Sequence, residues 1–355
     1  SAKDAPGLLI NFATMIQGLD LTPGLRLLDF GAGTGWTSRF LSQLGCEVIV
    51  LDVSPTALEI AKELYRRQPV IGDAPQPRFL LFDGLRIDLP DASVDRILCF
   101  DAFHHATNPD AMLREFARVL SPGGIAAFAE PGPDHSRRPP SQAEMRTYGV
   151  VENDVDIHAI WRTASSAGFS EIRLAAFHVP PFHVDLDRYV ELLRGGESYL
   201  RWAESTRGFL KDVRNFFLRR EGAVRADSRR ADGLMAGLEV ELPRTARAGE
   251  PIRARARVTN TGRATWLPSH VPVGGVSLGC HLFDANDQLL RFDHAWQPLG
   301  ESAKEIAPGE NVEVAFEIPA LTPGRYSLQF DCVANRVAWF AQLGSTTVTL
   351  TIDVE

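Results

Sequence analysis

The chain has 355 residues, more than one hydrophobic core usually serves, and this length predicts two domains. Hydrophobic residues make up 45% and charged residues 23%, which excludes a disordered or fibrous chain. The net charge of -8 argues against a partner held mainly through phosphate contacts, such as nucleic acid or an anionic membrane.

The cysteine pattern and the hydropathy exclude further classes. The four cysteines are scattered and include no C-x-x-C pair, which indicates neither a zinc site nor a disulfide framework. A reducing cytoplasm suits such free thiols. No apolar run approaches the ~20 residues that a membrane helix needs, so we expect a cytoplasmic protein without membrane insertion.

The first predicted element is an amphipathic helix over residues 7–19. An apolar run at 27–30 follows, typical of a buried parallel strand, and then a turn with the spacing G-x-G-x-G. Glycines suit this turn because the strand must pass at once into a helix and a ligand can approach the bare backbone. The helix predicted at 34–44 would offer that ligand free N–H groups and a positive dipole.

Further along, apolar strands are each followed by a carboxylate. The predicted strands are 47–51, 78–82, 95–100 and 125–129, and the residues that follow them are Asp52, Asp83, Asp101 and Glu130. Helices beginning at Ser54-Pro55 and Asn108-Pro109 alternate with the strands, which is typical of a doubly wound sheet. Ligands of such sheets bind at the carboxyl ends of the strands, so we expect these side chains around one site.

Four blocks in this order resemble class I S-adenosylmethionine-dependent methyltransferases of the ubiquinone/menaquinone-methyltransferase-like group. They are LLDFGAGTGW, VIVLDVSP, LFDGLRIDLPDASVDRILCFDAFHHATNP and REFARVLSPGG, and together they span residues 27–130. The resemblance implies a Rossmann-like domain with a mostly parallel, seven-stranded sheet. It also implies S-adenosyl-L-methionine as the cofactor and S-adenosyl-L-homocysteine as the product. Trp36 stands where a dinucleotide fingerprint has its third glycine, which disfavours an NAD-dependent oxidoreductase.

The resemblance also implies roles for cofactor-binding residues. Those that would cradle the amino-acid part of the cofactor are Asp29, Gly31, Gly33 and Gly35. Asp52 would hold the ribose hydroxyls, and Val53 would pack on the adenine. Asp83, followed by Gly84, would meet the adenine amino group. Asp101 would lie near the methionine end.

The loop 131–140 follows the fifth strand directly and should lie over the reaction centre. Since a hydroxyl acceptor is a poor nucleophile, a general base would help, and the candidates are Glu130, His135 and His104. Each has a structural alternative: a histidine that packs near the cofactor, an exposed loop histidine, or a carboxylate that binds only backbone. The candidates for binding the acceptor are His105, Tyr148, Glu152 and Asp154.

A metal site is not predicted. Glu130, Asp154 and His135 offer oxygen and nitrogen ligands, but no tight ligand spacing supports a divalent cation. Arg137 and Arg138 could hold an anionic acceptor, although a solvated loop pair is the commoner interpretation. The domain is completed by a sixth strand at 171–178, helices over 186–210 and an antiparallel seventh strand at 216–219.

The pattern changes after the first domain, which we place at 1–222. A charged linker is predicted at 223–233, and the remaining residues, 234–355, alternate apolar and polar side chains as strands with one buried face do. Asn260-Thr-Gly262, Pro308-Gly309 and Pro323-Gly324 mark the turns. Several short strands with such turns predict an all-β immunoglobulin-like sandwich.

This second half resembles β-sandwich modules on bacterial enzymes of polysaccharide and lipopolysaccharide biosynthesis. The matching stretches are VTNTGRATW, GCHLFDANDQLL, PGENVEVAFEIP and PGRYSLQFDCVANRVAWF. The loop at 130–154 is similar to loops of methyltransferase modules beside glycosyltransferases. Four aromatic residues could form a sugar-stacking platform or simply belong to the core: Trp266, Trp296, Trp339 and Phe340.

The first hypothesis for function is therefore an O-methyltransferase acting on a sugar or glycan intermediate, with the sandwich binding the acceptor, a glycosyltransferase or a second copy. A second hypothesis is a small-molecule methyltransferase of secondary metabolism, in which the sandwich only dimerises. A third is a cofactor-binding scaffold that docks a glycosyltransferase.

Overall fold

The computed structural model describes residues 2–72, 75–176, 184–210, 215–299 and 304–355. The chain forms two compact units, one of residues 1–21 and 25–224 and one of residues 22–24 and 225–355. Within the described ranges, every helix is too short or too polar to cross a bilayer.

The first unit is built on a seven-stranded mixed sheet. Its strands are β1 (Arg26–Phe30), β2 (Glu47–Asp52), β3 (Arg78–Leu81), β4 (Val94–Phe100), β5 (Leu120–Ala129), β6 (Phe169–Leu174) and β7 (Asn215–Arg220). Its helices are α1 (Ala5–Leu19), α2 (Trp36–Gln43), α3 (Pro55–Arg67), α4 (Pro109–Val119), α5 (Pro139–Tyr148), α6 (Ile157–Ser166), α7 (Leu186–Leu193) and α8 (Glu197–Leu210).

The strand order across this sheet is β3-β2-β1-β4-β5-β7-β6. The first five strands run parallel, and β7 is antiparallel to both of its neighbours, β5 and β6. This is the Rossmann-like, mostly parallel seven-stranded sheet that we expected from the sequence. The carboxyl ends of β1, β2 and β4 therefore meet at one edge, next to the glycine turn.

Local chemistry sets the helix starts. The side chain of Ser54 accepts a hydrogen bond from the N–H of Ala57 (3.2 Å), and that of Asn108 accepts one from Ala111 (3.0 Å), with proline next in both cases. The helix after the glycine turn begins at Trp36, two residues later than predicted, because Gly35 has a left-handed φ of 78° and forms the N-cap. The sixth strand ends at Leu174, and the last predicted residues, 177 and 178, lie outside the described residues.

Adjacent residues of β1 pack on opposite faces of the sheet. Leu28 belongs to a buried cluster that includes Phe116 of α4 and Ile160 of α6. Leu27 belongs to another, which includes Met15 of α1. Since both faces of β1 are covered by helices, the strand is apolar throughout rather than alternating.

The second unit is all β. Its strands are β8 (Ala236–Glu241), β9 (Thr245–Ala246), β10 (Ile252–Asn260), β11 (Val276–Asp284), β12 (Leu289–Pro298), β13 (Asn311–Ile318), β14 (Gly324–Ala334), β15 (Ala338–Trp339) and β16 (Val348–Val354). One sheet has the order β13-β10-β8, and the other the order β12-β11-β14-β16-β9, with β15 pairing β14. Val258 of the first sheet and Leu278 and Phe330 of the second share one hydrophobic core.

The stretch 223–233, assigned from sequence to a linker, is partly buried within the second unit. Asp227 pairs with Thr265 in an isolated bridge. The hydroxyl of the fully buried Ser228 donates to the carbonyl of Gly274 (2.6 Å) and accepts from the N–H of Leu267 (2.8 Å). Because polar side chains hold this segment in place, its burial cannot be predicted from hydrophobic periodicity.

The four aromatic residues proposed as a sugar platform divide into two pairs. Trp266 and Phe340 are fully buried and meet edge to face at 5.4 Å, so they belong to the core. Trp296 is 45% exposed and lies 5.5 Å from the half-buried Trp339. Phe292, which sequence reasoning missed, is also exposed and contacts Trp339 at 5.3 Å.

Candidate functional site

The glycine turn joins β1 to α2 in a conformation that only glycine adopts freely. Gly31, Gly33 and Gly35 have left-handed φ values of 67°, 54° and 78°. A Cβ atom at Gly31 would lie 2.5 Å from that of Ala102, so the loop after β4 packs directly on the turn. A Cβ atom at Gly33 would meet no atom of the described residues within 4 Å, which leaves open space beside the backbone there.

Asp29, the last polar residue of β1, fastens this turn to the following helix. Its Oδ2 accepts hydrogen bonds from the hydroxyls of Thr37 (2.7 Å) and Ser38 (2.5 Å), and the residue is buried. Burial raises the pKa of Asp29 to about 6, although the two hydroxyls lower it and the charge of Asp52 raises it further. The carboxylate thus faces the protein interior.

Asp52, at the end of β2, links the second strand to the turn. Its Oδ2 accepts from the N–H of Gly33 (2.7 Å) and its Oδ1 from the N–H of Ser54 (2.8 Å). Each carboxylate oxygen has a further lone pair, so acceptor capacity remains for a diol. Next to it, Val53 is 60% exposed and presents an apolar surface to solvent.

The ends of β3 and β4 carry the other predicted cofactor residues. The Oδ1 of Asp83 accepts from the N–H groups of Leu85 (2.8 Å) and Arg86 (2.9 Å), and these hydrogen bonds lower its pKa. Gly84 beside it has a left-handed φ of 82°. Leu85, which sequence reasoning missed, is an exposed apolar side chain beside these residues. Asp101 is exposed, with a left-handed φ of 57°.

Glu130, at the end of β5, is completely occupied by the loop after β4. Its Oε1 accepts from the N–H groups of Ala102 (3.2 Å) and Phe103 (2.9 Å). Its Oε2 accepts from the N–H of His104 (3.3 Å) and lies 2.7 Å from Nδ1 of the same histidine. With its side chain fully buried, Glu130 orients the loop and the His104 ring. Both of its oxygens are therefore engaged, and Glu130 is not a free base.

His104 has a defined tautomer as a result. Because the Glu130 carboxylate accepts, Nδ1 of His104 carries the hydrogen and Nε2 keeps its lone pair. Burial lowers the pKa of His104, but the hydrogen bond and charge of Glu130, with the charges of Asp101 and Glu152, outweigh it and raise the pKa above the ordinary value. The ring is thus a base held in one orientation.

A second carboxylate, Glu152, joins three histidines. Its Oε2 lies 2.7 Å from Nε2 of His135 and 3.5 Å from Nε2 of His104. Its Oε1 is 3.6 Å from Nδ1 of His105 and accepts no hydrogen bond from any described residue. The predicted catalytic residues Glu130, His104 and His135 therefore do come together, with Glu152 between the two histidines.

The remaining predicted acceptor residues are placed less centrally. The Nδ1 of His105 lies 2.8 Å from the carbonyl of Val151, and Oδ1 of Asp154 accepts from the N–H of Ser136 (2.8 Å). Tyr148 is 75% exposed on the last turn of α5. Arg137 is exposed as well, 3.5 Å from Asp134.

Sequence reasoning missed Asn153, which ties the 150–155 segment to the loop after β4. Its side-chain amide donates to the carbonyls of His104 (2.9 Å) and Ala106 (2.8 Å), and its own N–H also donates to His104 (2.9 Å). The sequence feature that could have identified Asn153 is its position between the two acidic candidates Glu152 and Asp154. Asn153 brings Glu152 to His104.

Comparisons with known proteins agree with this geometry. The family model described as "Methyltransferase domain" matches residues 28–128. Methyltransferase GfsG of Streptomyces halstedii is 33% identical over 117 residues, which is 33% of this chain and 41% of that protein. The 2-methyl-6-phytyl-1,4-hydroquinone methyltransferase of Synechocystis is 28% identical over 212 residues, 56% of this chain and 63% of that protein. The malonyl-[acyl-carrier protein] O-methyltransferase of Serratia marcescens is 36% identical over 109 residues, 30% of this chain and 38% of that protein.

The chain thus spans between 38% and 63% of the length of these relatives. The region that the family model matches, residues 28–128, contains the glycine turn, Asp52 and Asp83 at the ends of their strands, and the loop after β4.

Proposed function

We propose that this chain, whose residues 28–128 are an S-adenosylmethionine-dependent methyltransferase domain, methylates an acceptor hydroxyl group held beside His104. The observation that carries the proposal is the buried Glu130–His104 pair, 2.7 Å apart, whose histidine lies on a loop that packs against the glycine turn at Gly31. A base of fixed tautomer thus lies on the loop that contacts the cofactor turn.

The turn and the strand ends suit the cofactor. S-adenosylmethionine supplies a methyl group activated by a positively charged sulfur. The open space at Gly33 suits the amino-acid part of the cofactor, which would lie against the backbone of the turn. Asp52 has acceptor capacity for the ribose hydroxyls, and the exposed side chain of Val53 can pack on the adenine. Asp29 supports the turn from behind through Thr37 and Ser38, and in this proposal it acts on the cofactor only through the turn.

In this reaction the protein orients the acceptor hydroxyl and provides a base that takes its proton. As the acceptor oxygen gains the methyl group, its O–H proton moves to Nε2 of His104, and the carbon–sulfur bonding pair stays on the sulfur. Glu130 keeps Nδ1 protonated, so that Nε2 is the basic atom, and Glu152 stabilises the resulting imidazolium ion. His135 in turn holds Glu152.

For the acceptor we propose a sugar or glycan intermediate. The support is the sequence resemblance of the all-β unit to modules of bacterial polysaccharide and lipopolysaccharide enzymes, and of the 130–154 loop to loops of methyltransferase modules beside glycosyltransferases. The exposed rings of Phe292 and Trp296, which pack on the half-buried Trp339, add a surface on which a sugar could stack. In this proposal the all-β unit is an immunoglobulin-like module that binds the acceptor, a glycosyltransferase or a second copy. The four free, buried cysteines of the chain suit a cytoplasmic enzyme.

A small-molecule acceptor is the second candidate. It is favoured by the relatives, since the Synechocystis enzyme is named for a phytyl hydroquinone and the Serratia enzyme for a malonyl group on a carrier protein. Their acceptors differ, so neither is transferred to this chain.

The test uses S-adenosylmethionine labelled on its methyl group. The full chain and its His104→Ala variant are incubated with the label and a fractionated bacterial extract, and cofactor binding of both is measured separately. His104-dependent label in nucleotide sugars, lipid-linked glycans or polysaccharide supports the glycan acceptor, whereas label in apolar small molecules supports the second candidate. Cofactor binding without transfer into any fraction would overturn the enzyme proposal in favour of a scaffold.

A further inference from the structure

We propose that His104, His105 and Glu152 bind a divalent transition-metal ion of the zinc type. One ring nitrogen of each histidine and one oxygen of Glu152 lie within 4.8 Å of one another. Two imidazoles and a carboxylate are a donor set that zinc takes in reactive sites, where a fourth position stays open. The residues considered from sequence for a cation, Glu130, Asp154 and His135, are a different set.

The hydrogen bonds of the two histidines leave the same nitrogen free on each. Nδ1 of His104 lies 2.7 Å from the Glu130 carboxylate, and Nδ1 of His105 lies 2.8 Å from the carbonyl of Val151. Both oxygens accept, so both Nδ1 atoms carry hydrogen and both Nε2 atoms keep a lone pair. Metal-binding histidines are typically held in this way, with the second nitrogen donating to a carboxylate or a backbone carbonyl.

The spacing of one pair of donor atoms, from His104 and Glu152, fits tetrahedral coordination. Metal–ligand bonds of ~2.1 Å at tetrahedral angles place neighbouring donor atoms roughly 3.4 Å apart. Nε2 of His104 and Oε2 of Glu152 are 3.5 Å apart. That separation is long for a hydrogen bond, and the lone pair of a neutral Nε2 and the carboxylate repel each other unless a proton or a metal cation lies between them.

Glu152 also has an oxygen without a hydrogen bond. Its side chain is 1% exposed, and Oε1 accepts from no described residue. A buried acceptor without a donor is costly, and a cation bound to the same carboxylate would lower that cost through its charge. Among the described residues, the ion-pair partners of Glu130 and Glu152 are histidines only, so two buried carboxylates lack a permanent positive charge.

The surroundings provide support and access. His135 lies 2.7 Å from Oε2 of Glu152, too close for two ligands of one tetrahedral ion, so it would hold Glu152 from outside. The side chain of His105 is 42% exposed, which gives an ion a path from solvent.

The role of the ion rests on the proposed function, but its binding does not. An ion on Nε2 of His104 would occupy the atom that otherwise takes the proton. It would instead bind the acceptor oxygen in its open position and lower the pKa of that hydroxyl, whose proton would then pass to solvent. The protein would then promote the same transfer with a metal-bound oxygen.

The experiment measures zinc binding by the full chain after chelator treatment and desalting. Zn²⁺ titration calorimetry and metal content are compared for the native protein, His105→Ala, Glu152→Gln and the control His270→Ala, an exposed histidine of the other unit. We expect one ion per chain in the native protein and the control, and affinity reduced by at least about tenfold in the other two variants. Substitution with Co²⁺ should give the intense visible absorption of four-coordinate cobalt.

Zinc that binds equally to all four proteins would lie on surface histidines and would overturn the proposal, as would no binding at all. Labelled-methyl transfer by the metal-free protein, unchanged on adding Zn²⁺, would leave the proposed function intact and remove the role of the ion. Site-specific zinc binding in a protein that transfers no methyl group would support the site and contradict the function.

Discussion

The Nδ1 atom of His104 lies 2.7 Å from Oε2 of Glu130, and both side chains are almost completely buried. Glu130 comes from the end of β5, whereas His104 belongs to the loop after β4, so the pair closes the gap between two neighbouring strands. The same carboxylate also accepts from the N–H groups of Ala102, Phe103 and His104. One side chain therefore sets both the path of the loop and the orientation of the ring.

Glu130→Gln should disturb the orientation of the His104 ring without weakening cofactor binding. The amide accepts at only one of the two positions and donates at the other, so it cannot keep both the loop N–H contacts and the contact that fixes the His104 tautomer. We expect kcat to fall by at least about 100-fold, while the dissociation constant of S-adenosylmethionine changes by less than about threefold. Steady-state kinetics and cofactor titration measure the two effects. Glu144→Gln, at an exposed position of α5, is the control, and an unchanged kcat in Glu130→Gln would remove His104 orientation from the mechanism.

Gly31→Ala should weaken cofactor binding by two separable effects. A left-handed alanine costs about 1–2 kcal/mol, which lowers affinity by up to about tenfold when the free protein relaxes the turn and the bound one cannot, and its Cβ would also lie 2.5 Å from that of Ala102. The double variant Gly31→Ala/Ala102→Gly removes the clash but keeps the backbone cost. Its affinity for S-adenosylmethionine, measured by calorimetry, should fall between the native protein and the single variant.

Gly33→Ala is the matched comparison for that pair. Its φ is also left-handed, but its Cβ would meet no described atom within 4 Å, so Ala102→Gly should give no recovery. Equal recovery in both backgrounds would mean that Ala102→Gly acts generally rather than through contact with residue 31.

Asp29→Asn should change how stability depends on pH. Burial raises the pKa of Asp29 from 3.8 to about 6, so between these values the folded protein holds a proton that the unfolded chain releases. The carboxylate therefore costs stability as pH rises through that window, up to about 3 kcal/mol above it. The neutral asparagine carries no such cost, so Asn relative to Asp should be more favourable at pH 7 than at pH 4.5.

Hydrogen exchange of the β1 amides, corrected for intrinsic rates, measures this difference in the unit that contains Asp29. Asp88→Asn, at an exposed loop position, controls for loss of a surface charge. The same relative stability of Asp29→Asn at the two pH values would mean that Asp29 is not neutral in the folded protein at the lower pH.

Trp266→Ala and Trp296→Ala should differ sharply in stability. Trp266 is fully buried against Phe340, and its removal should cost about 3–5 kcal/mol in the second unit. Trp296 is 45% exposed, and its removal should cost about 1 kcal/mol or less. Hydrogen exchange of the β10 and β14 amides measures both. Similar losses of stability in the two variants would contradict the assignment of Trp266 to the core. Because the Trp296→Ala protein should stay folded, it is the variant in which the proposed glycan binding can be tested.

The parallel sheet was predictable because its signals are local. Apolar runs, the Ser54-Pro55 and Asn108-Pro109 helix starts and the acidic strand ends all lie within short stretches of sequence. The hydrogen bond between Asp52 and Gly33 was not predictable in this way, since the two residues meet only through the pairing of β1 with β2. The sequence placed Asp52 at the site but did not show that its oxygens already bind backbone.

In the candidate site, too, the sequence identifies the residues but not the contacts between them. His104, Glu130, His135 and Glu152 were all selected from the sequence, but their roles depend on which atoms meet. Only the fold shows that Glu130 is covered by backbone N–H groups and that Glu152 lies between two histidines. In the second unit, Trp266 and Trp296 look alike in sequence, and only sheet packing distinguishes a core residue from a surface one.

The position of β7 has a consequence for how the first unit is made. β6 pairs with β7 alone among the described strands, and β7 lies between it and β5, although it follows both in the chain. During synthesis on the ribosome, β5 exposes an unpaired edge and β6 has no neighbour until Asn215–Arg220 emerge. A nascent chain stopped before Asn215 would present both edges to other chains, so the unit should depend on prompt completion, or on a chaperone, to avoid aggregation.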